Sequence, residues 1–145
     1  MLKNIPSILP PDLLKILAEM GHTDELVIGD GNFPSTSFCQ RAVHCEGTDG
    51  PQMLDAILSL MPLDDFEDAQ VQLMLPVPGT VPDGEPPVWK TYREIIARHE
   101  PDAKIELIER GAFYERSKKA YCIVQTGETS LYACLILKKG VIRAQ

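Results

Sequence analysis

Leu131-Tyr132-Ala133-Cys134-Leu135-Ile136-Leu137 is the stretch on which the fold class turns. From Cys134 onward no polar residue alternates with the apolar ones. A strand that read hydrophobic-in, polar-out would face water on one side, so an unbroken run implies a strand covered on both faces. Going back along the chain, Ala120 to Gln125 and Ile105 to Ile108 are also strand-like. Thr126-Gly127-Glu128-Thr129 is a short connector suited to a hairpin. Earlier still, the pattern alternates. Leu13, Ile16, Leu17 and Met20 fall at helical spacing between Pro11 and Gly21, and Leu26-Val27-Ile28 follows as a strand ending at Gly29-Asp30-Gly31-Asn32. Arg41 to Cys45 reads as a short strand. Pro51 opens a helix carrying Leu54, Ile57, Leu58 and Met61, which Pro62 closes, and Val71 to Leu75 is a further strand. Val88 to His99 predicts another helix, with Pro101 beyond its end. Helices interleaved with buried strands predict an α/β domain whose mixed sheet is covered by helices.

Between the last two of these elements lies Pro76 to Pro87, twelve residues with five prolines and two glycines. Neither a helix nor a central strand tolerates that composition, so it is a loop of a length typical of lids, interface arms and binding loops. With 145 residues, the chain fits one domain over 1–145 and buries enough surface to need neither a disulfide nor a structural metal. Cys39, Cys45, Cys122 and Cys134 form no CxxC pair and read as reduced, mostly buried thiols. Met1-Leu2-Lys3-Asn4-Ile5-Pro6 lacks the apolar run of a signal peptide, and no window approaches the ~20 apolar residues of a membrane span. The expectation is a soluble cytoplasmic protein with no membrane partner. A formal net charge of −7 opposes polyanions. The only Lys pairs, Lys118-Lys119 and Lys138-Lys139, come without an aromatic stacking ladder, so no nucleic-acid partner is expected.

Three clusters could carry chemistry. Gly21-His22-Thr23-Asp24-Glu25, with Asp30 at the next strand's end, places an imidazole and carboxylates close together. His22 follows a helix C-terminus, whose unpaired carbonyls favour a proton on the ring, and Asp30 lies at the carboxyl end of a strand, where α/β sheets bind ligands. Spacing alone also fits a C-cap histidine with ordinary turn carboxylates. No second His or Cys stands at ligand spacing, so no metal is expected. Arg110-Gly111-Ala112-Phe113-Tyr114-Glu115-Arg116, read as leading into a strand, offers guanidinium forks that bridge neighbouring hydroxyls. Its Tyr114 adds a flat face for C–H groups, as a sugar requires. A solvated salt-bridge patch has the same composition. Tyr132 is the third candidate. Period-2 geometry puts Tyr132 and Cys134 on one face, although a core tyrosine with one satisfied hydrogen bond reads the same way.

Together these clusters resemble the fucose mutarotase/ribose pyranase (FucU/RbsD) family over most of the chain. The resemblance is carried by Leu13 to His22, by Asp30 with Asn32-Phe33-Pro34, and by Ala112-Phe113-Tyr114-Glu115-Arg116. Thr126-Gly127-Glu128 and Leu135 to Val141 complete it, and Phe113-Tyr114-Glu115-Arg116 leans toward the fucose branch. The resemblance implies a three-layer α/β/α sandwich, no cofactor, a monosaccharide substrate, and homo-oligomeric rings, often decamers, with active sites shared between subunits. It implies that His22 is the catalytic acid/base, with Asp24 as its partner. Tyr132 would contact the sugar and transfer a proton, and Asp30, Arg110, Tyr114, Ala133 and Cys134 would bind substrate. One departure stands out: after Tyr132 the family usually has Gly-Asn or Ala-Asn, where this chain has Ala133-Cys134. A thiol cannot supply an amide's paired donor and acceptor, so sugar preference is expected to shift. The function implied is interconversion of α and β anomers by ring opening. Two other readings are a D-ribose pyranase and a non-catalytic monosaccharide-binding module.

Overall fold

The computed structural model describes residues 1–39 and 41–145. Its strands are β1 (Glu25–Gly29), β2 (Ala42–Cys45), β3 (Val71–Met74), β4 (Ile105–Ile108), β5 (Cys122–Thr126) and β6 (Leu135–Lys138). They form one sheet in the order β2-β5-β1-β6-β3-β4. β1, β2 and β5 pair in parallel, as do β3 and β4, while β6 runs antiparallel to both β1 and β3. The helices are α1 (Pro11–Glu19), α2 (Ser35–Phe38), α3 (Gly50–Leu58), α4 (Val88–His99) and α5 (Arg110–Lys118).

The sheet is apolar on both faces because helices cover both. Along β1, Leu26 and Ile28 turn to a core built with Leu13 and Leu17 of α1, Met53, Leu54 and Ile57 of α3, and Tyr92 and Ile96 of α4. Val27, between them, turns the other way, to a second core with Phe33, Ile123, Ile136 and Phe113 of α5. Burying each such side chain fully is worth about 1.5–3 kcal/mol, which offsets the entropy of ordering the strands. The result is the expected α/β/α sandwich with a mixed sheet. Local signals agree with it: Asp49 accepts the Gln52 N–H at 2.8 Å while Gln52 Oε1 accepts the Asp49 N–H at 3.2 Å, a capping box that starts α3.

Three expectations are corrected. β6 begins only at Leu135, because the carbonyls of Tyr132 and Ala133 accept from Trp89 Nε1 at 2.8 Å and the Tyr92 hydroxyl at 2.7 Å, both on α4. Backbone groups committed to α4 side chains leave the ladder, and Tyr132 adopts a left-handed φ of 54°. β5 and β6 do not form a hairpin, because β1 lies between them: Ile28 pairs with Val124 on one side and Leu135 on the other. Arg110 to Arg116 is not a lead into a strand but the body of α5, started by Glu109, whose carboxylate accepts the Gly111 and Ala112 N–H groups at 3.1 and 3.3 Å. That helix buries only Phe113 and Ser117, so it shows no broad apolar stripe in the sequence.

Candidate active site

All five strands other than β6 run the same way, so their carboxyl ends gather at one end of the sheet. Asp30 follows β1, Arg110 follows β4, and the antiparallel β6 begins there, which brings Tyr132 and Cys134 to the same place. Between them lies a cleft of about 330 Å³ lined by Asp30, Asn32, Phe33, Met74, Thr80, Arg110, Tyr114, Leu131, Tyr132 and Cys134. This is a size that small-molecule sites occupy. The clusters around Asp30, Arg110 and Tyr132, far apart in sequence, therefore meet through topology.

Asp30 is the polar floor of the cleft. Burial raises its carboxyl above the usual range, and the nearby Glu128 carboxylate pushes the same way. The N–H groups of Asn32, at 2.9 Å, Ala133 and Phe33 work against that rise. Ala133 thus serves through its backbone. Opposite, Arg110 lies over the Tyr114 ring at 5.6 Å, and Tyr114 packs at an edge-on angle against Phe38 and tilted against Phe33. The guanidinium is steered by aromatic faces, and among the described residues no carboxylate pairs with it, which leaves its donor fork for a ligand. Cys134 is 2% exposed and its thiol is pushed far up by burial, with Asp30 adding to the effect, so it is a neutral, weakly polar wall. Met74, Phe33, Asn32, Thr80 and Leu131 were not legible as site residues, since each lines the cleft only through strand order.

His22 stands elsewhere. It precedes β1 whereas Asp30 follows it, so within one chain roughly 16 Å of strand separates them, at about 3.3 Å per residue. Its Nε2 lies 3.0 Å from Oδ1 of Asp64, a residue whose side chain is 1% exposed. Burial raises the Asp64 carboxyl, but the hydrogen bonds from His22 and from the Phe66 N–H outweigh it and hold the group below its usual range. An ionised carboxylate only accepts, so Nε2 donates in this hydrogen bond. Asp24, the expected partner, instead accepts the Gly21 N–H at 2.7 Å and closes the turn. Nor are the α1 carbonyls unpaired, because Lys139 Nζ donates to Leu17 O at 3.0 Å and to Met20 O. Asp64 sits 42 positions from His22, and no sequence spacing pointed to it.

A larger cavity of about 420 Å³ opens between α4 and β4, lined by Leu73, Trp89, Ile96 and Leu107, with the Glu85–Arg93 ion pair at its rim. Apart from that pair and the Trp89 indole, its described lining is aliphatic. Among the described residues no three His, Cys, Asp or Glu side chains converge as a metal site, and no helix is long and apolar enough to cross a membrane.

Comparison with known proteins adds to this geometry. A model of the RbsD / FucU transport protein family matches residues 3–142. The chain is 46% identical to the fucose mutarotase of Danio rerio, covering 97% of this chain and 94% of that one, and 45% identical to the fucose mutarotase of Homo sapiens with the same coverage. Among solved structures, the fucose mutarotase of Streptococcus pneumoniae in complex with L-fucose superposes with a TM-score of 0.92 at 52% identity, over 98% of this chain and 100% of that one. Bacillus subtilis RbsD, solved with D-ribose, shares the fold at a TM-score of 0.75 with 22% identity, over 99% of this chain and 100% of that one. Matched along nearly its whole length in both sequence and fold, the chain belongs to the RbsD/FucU family.

Proposed function

We propose that this chain is an L-fucose mutarotase, an isomerase that interconverts sugar anomers without a cofactor, and that residues 1–145 act as one such domain. The observation that carries this reading is the convergence of Asp30, Arg110, Tyr114 and Tyr132 on one cleft, in a chain whose relatives include a fucose mutarotase solved with L-fucose. Mutarotation needs a proton delivered to the ring oxygen while another leaves the anomeric hydroxyl. The open aldehyde rotates and recloses on its other face. Two positioned acid–base groups contribute factors of about 10²–10⁴ each, and the Tyr132 phenol and the His22 imidazole are suited to the two roles. Asp30 and Arg110 hold the hydroxyls in register.

His22 cannot reach the cleft of its own chain, so the reading requires a second copy to supply it. We infer a homo-oligomer, a ring of the kind the resemblance implies, with each site completed by a neighbour. Two apolar patches support it. Phe66, 68% exposed, packs its ring 5.3 Å from His22, while Leu131, 58% exposed, stands at the rim of the cleft. Large exposed apolar side chains beside both halves of a divided site are what a head-to-tail contact would cover. Free thiols at Cys39, Cys45, Cys122 and Cys134 suit the reducing cytoplasm, where we place the protein.

Saturation-exchange NMR of L-fucose and D-ribose tests the function. Faster exchange between the α and β anomers of L-fucose is expected, and its reduction in His22→Ala and Tyr132→Phe. Binding without faster exchange would leave a sugar-binding module, and acceleration confined to ribose would leave a pyranase.

A further inference from the structure

The loop 75–87 is tied to the cleft by a single phenol. Tyr132 Oη accepts the Val77 N–H at 3.1 Å and is paired with Thr80 Oγ1 at 2.8 Å. Thr80 Oγ1 in turn lies 2.6 Å from Val77 O, a carbonyl that only accepts. These three contacts fix the direction of every proton. Thr80 donates to Val77 O, so its oxygen is the acceptor for the Tyr132 hydroxyl, whose own lone pair takes the Val77 N–H. The far end of the loop is anchored to α4 by the Glu85–Arg93 pair, and the tyrosine backbone is pinned from below through Trp89 Nε1. Tyr132 is therefore fixed at both ends, in a left-handed backbone conformation that a non-glycine residue adopts only when its surroundings impose it. Thr80 also lines the cleft.

We propose that Thr80 is a positioning residue for the reaction: its hydroxyl oxygen holds the Tyr132 phenol at the cleft and accepts the hydrogen bond of the phenol O–H whenever that O–H is not bonded to the sugar. The inference rests on the acid–base role assigned to Tyr132 and deepens it. A proton donor loosely held at a pocket mouth wastes most of its orientations. A hydroxyl partner in the loop restricts the phenol to one direction, while Thr80's proton, committed to Val77 O, cannot be offered to the same oxygen. The contact of the loop with the cleft thus runs through that phenol. Removing that hydroxyl costs one neutral hydrogen bond, which is about a five- to tenfold effect on rate if the bond acts in the proton-transfer step.

The test uses the full-length protein, L-fucose, and anomer exchange measured over a range of sugar concentrations in four variants: Thr80→Val, Thr80→Ser, Tyr132→Phe and Tyr132→Phe/Thr80→Val. Thr80→Val should lower kcat about five- to tenfold with KM within about twofold, and Thr80→Ser should restore the rate, since serine keeps the hydroxyl and valine keeps the shape. In the Tyr132→Phe background, Thr80→Val should cost nothing further, because the group it positions is gone. Equal kcat in Thr80→Val and wild type overturns the inference, as does a Thr80→Ser variant as slow as Thr80→Val, or a Thr80→Val loss undiminished in the Phe background. Failure of the functional reading looks different: there Tyr132→Phe itself would exchange L-fucose at the wild-type rate.

Discussion

Replacing Asp64 by asparagine separates the charge of the His22 partner from its shape. In the wild type, a carboxylate with 1% of its side chain exposed accepts from His22 Nε2 at 3.0 Å and from the Phe66 N–H at 3.1 Å. The amide of the Asp64→Asn variant would keep an oxygen at the same place, so both hydrogen bonds can persist without the charge. Hydrogen bonds to a charged group are worth about 1.5–3 kcal/mol and neutral ones about 0.5–1.5, a difference of roughly 1.4 kcal/mol, or about tenfold. If the imidazole takes up a proton during ring opening, that difference falls on the transition state, and L-fucose anomer exchange should slow about tenfold in Asp64→Asn. Asp64 Oδ2 is buried without a hydrogen-bond partner, so the amide nitrogen would stand there with its donors unsatisfied, at a cost of about 1–3 kcal/mol. A cooperative melting transition about 3–10 °C below that of wild type is expected. The depressed carboxyl also fixes a sign. Its contribution to stability is present above the ordinary aspartate pKa and lost as pH falls through the lower folded value, so the variant should lose part of the acid sensitivity of the wild type below about pH 4. Unchanged exchange in Asp64→Asn, with His22→Ala inactive, would refute the reasoning, for His22 would then work without an ionised partner.

Three further outcomes are expected. His22→Ala and Arg110→Ala, each inactive alone, should regain about a quarter of wild-type exchange when mixed, unfolded and reassembled, because random assembly gives that share of sites two intact halves; no recovery at all would argue against division of the site between copies. Cys134→Asn puts an amide beside Asp30 and should change the ratio of L-fucose to D-ribose binding by about threefold or more, on the order of one hydrogen bond, as read by isothermal titration; an unchanged ratio would remove Cys134 from specificity. Glu128, 7% exposed, would be raised by burial, yet the N–H groups of Ser130, at 2.8 Å, and of Gly50, at 3.1 Å, hold it low. Its stabilisation is present above the ordinary glutamate pKa and lost as pH falls through its folded value, so Glu128→Gln should flatten the acid limb of urea-denaturation stability, and an unaltered limb would contradict that.

Several elements were legible because their signals are local. Val88–His99 carries its own stripe between prolines, and Ile105–Ile108 matches the structure residue for residue. The strand Leu26-Val27-Ile28 and the C-terminal apolar run pointed to the buried sheet, and His22, Asp30, Arg110 and Tyr132 stood out as groups able to move protons or bind hydroxyls. α5 was missed for a physical reason: with two buried residues, its helical period left no trace in hydrophobicity, and its start depends on the Glu109 cap.

What the amino-acid sequence determined by itself was therefore the chemistry present and the two-sided burial of the sheet, since residue type and period are properties of short segments. Tertiary structure alone decided which of those groups meet. β1 inserted between β5 and β6, which undid the hairpin and carried Tyr132 and Cys134 to the carboxyl ends of the parallel strands. The same strand placed His22 and Asp30 at opposite ends of one rod, and Asp64 rather than Asp24 beside the imidazole. Such pairings arise from contacts between residues tens of positions apart, whose energies depend on strand order and on carbonyls claimed by a distant helix.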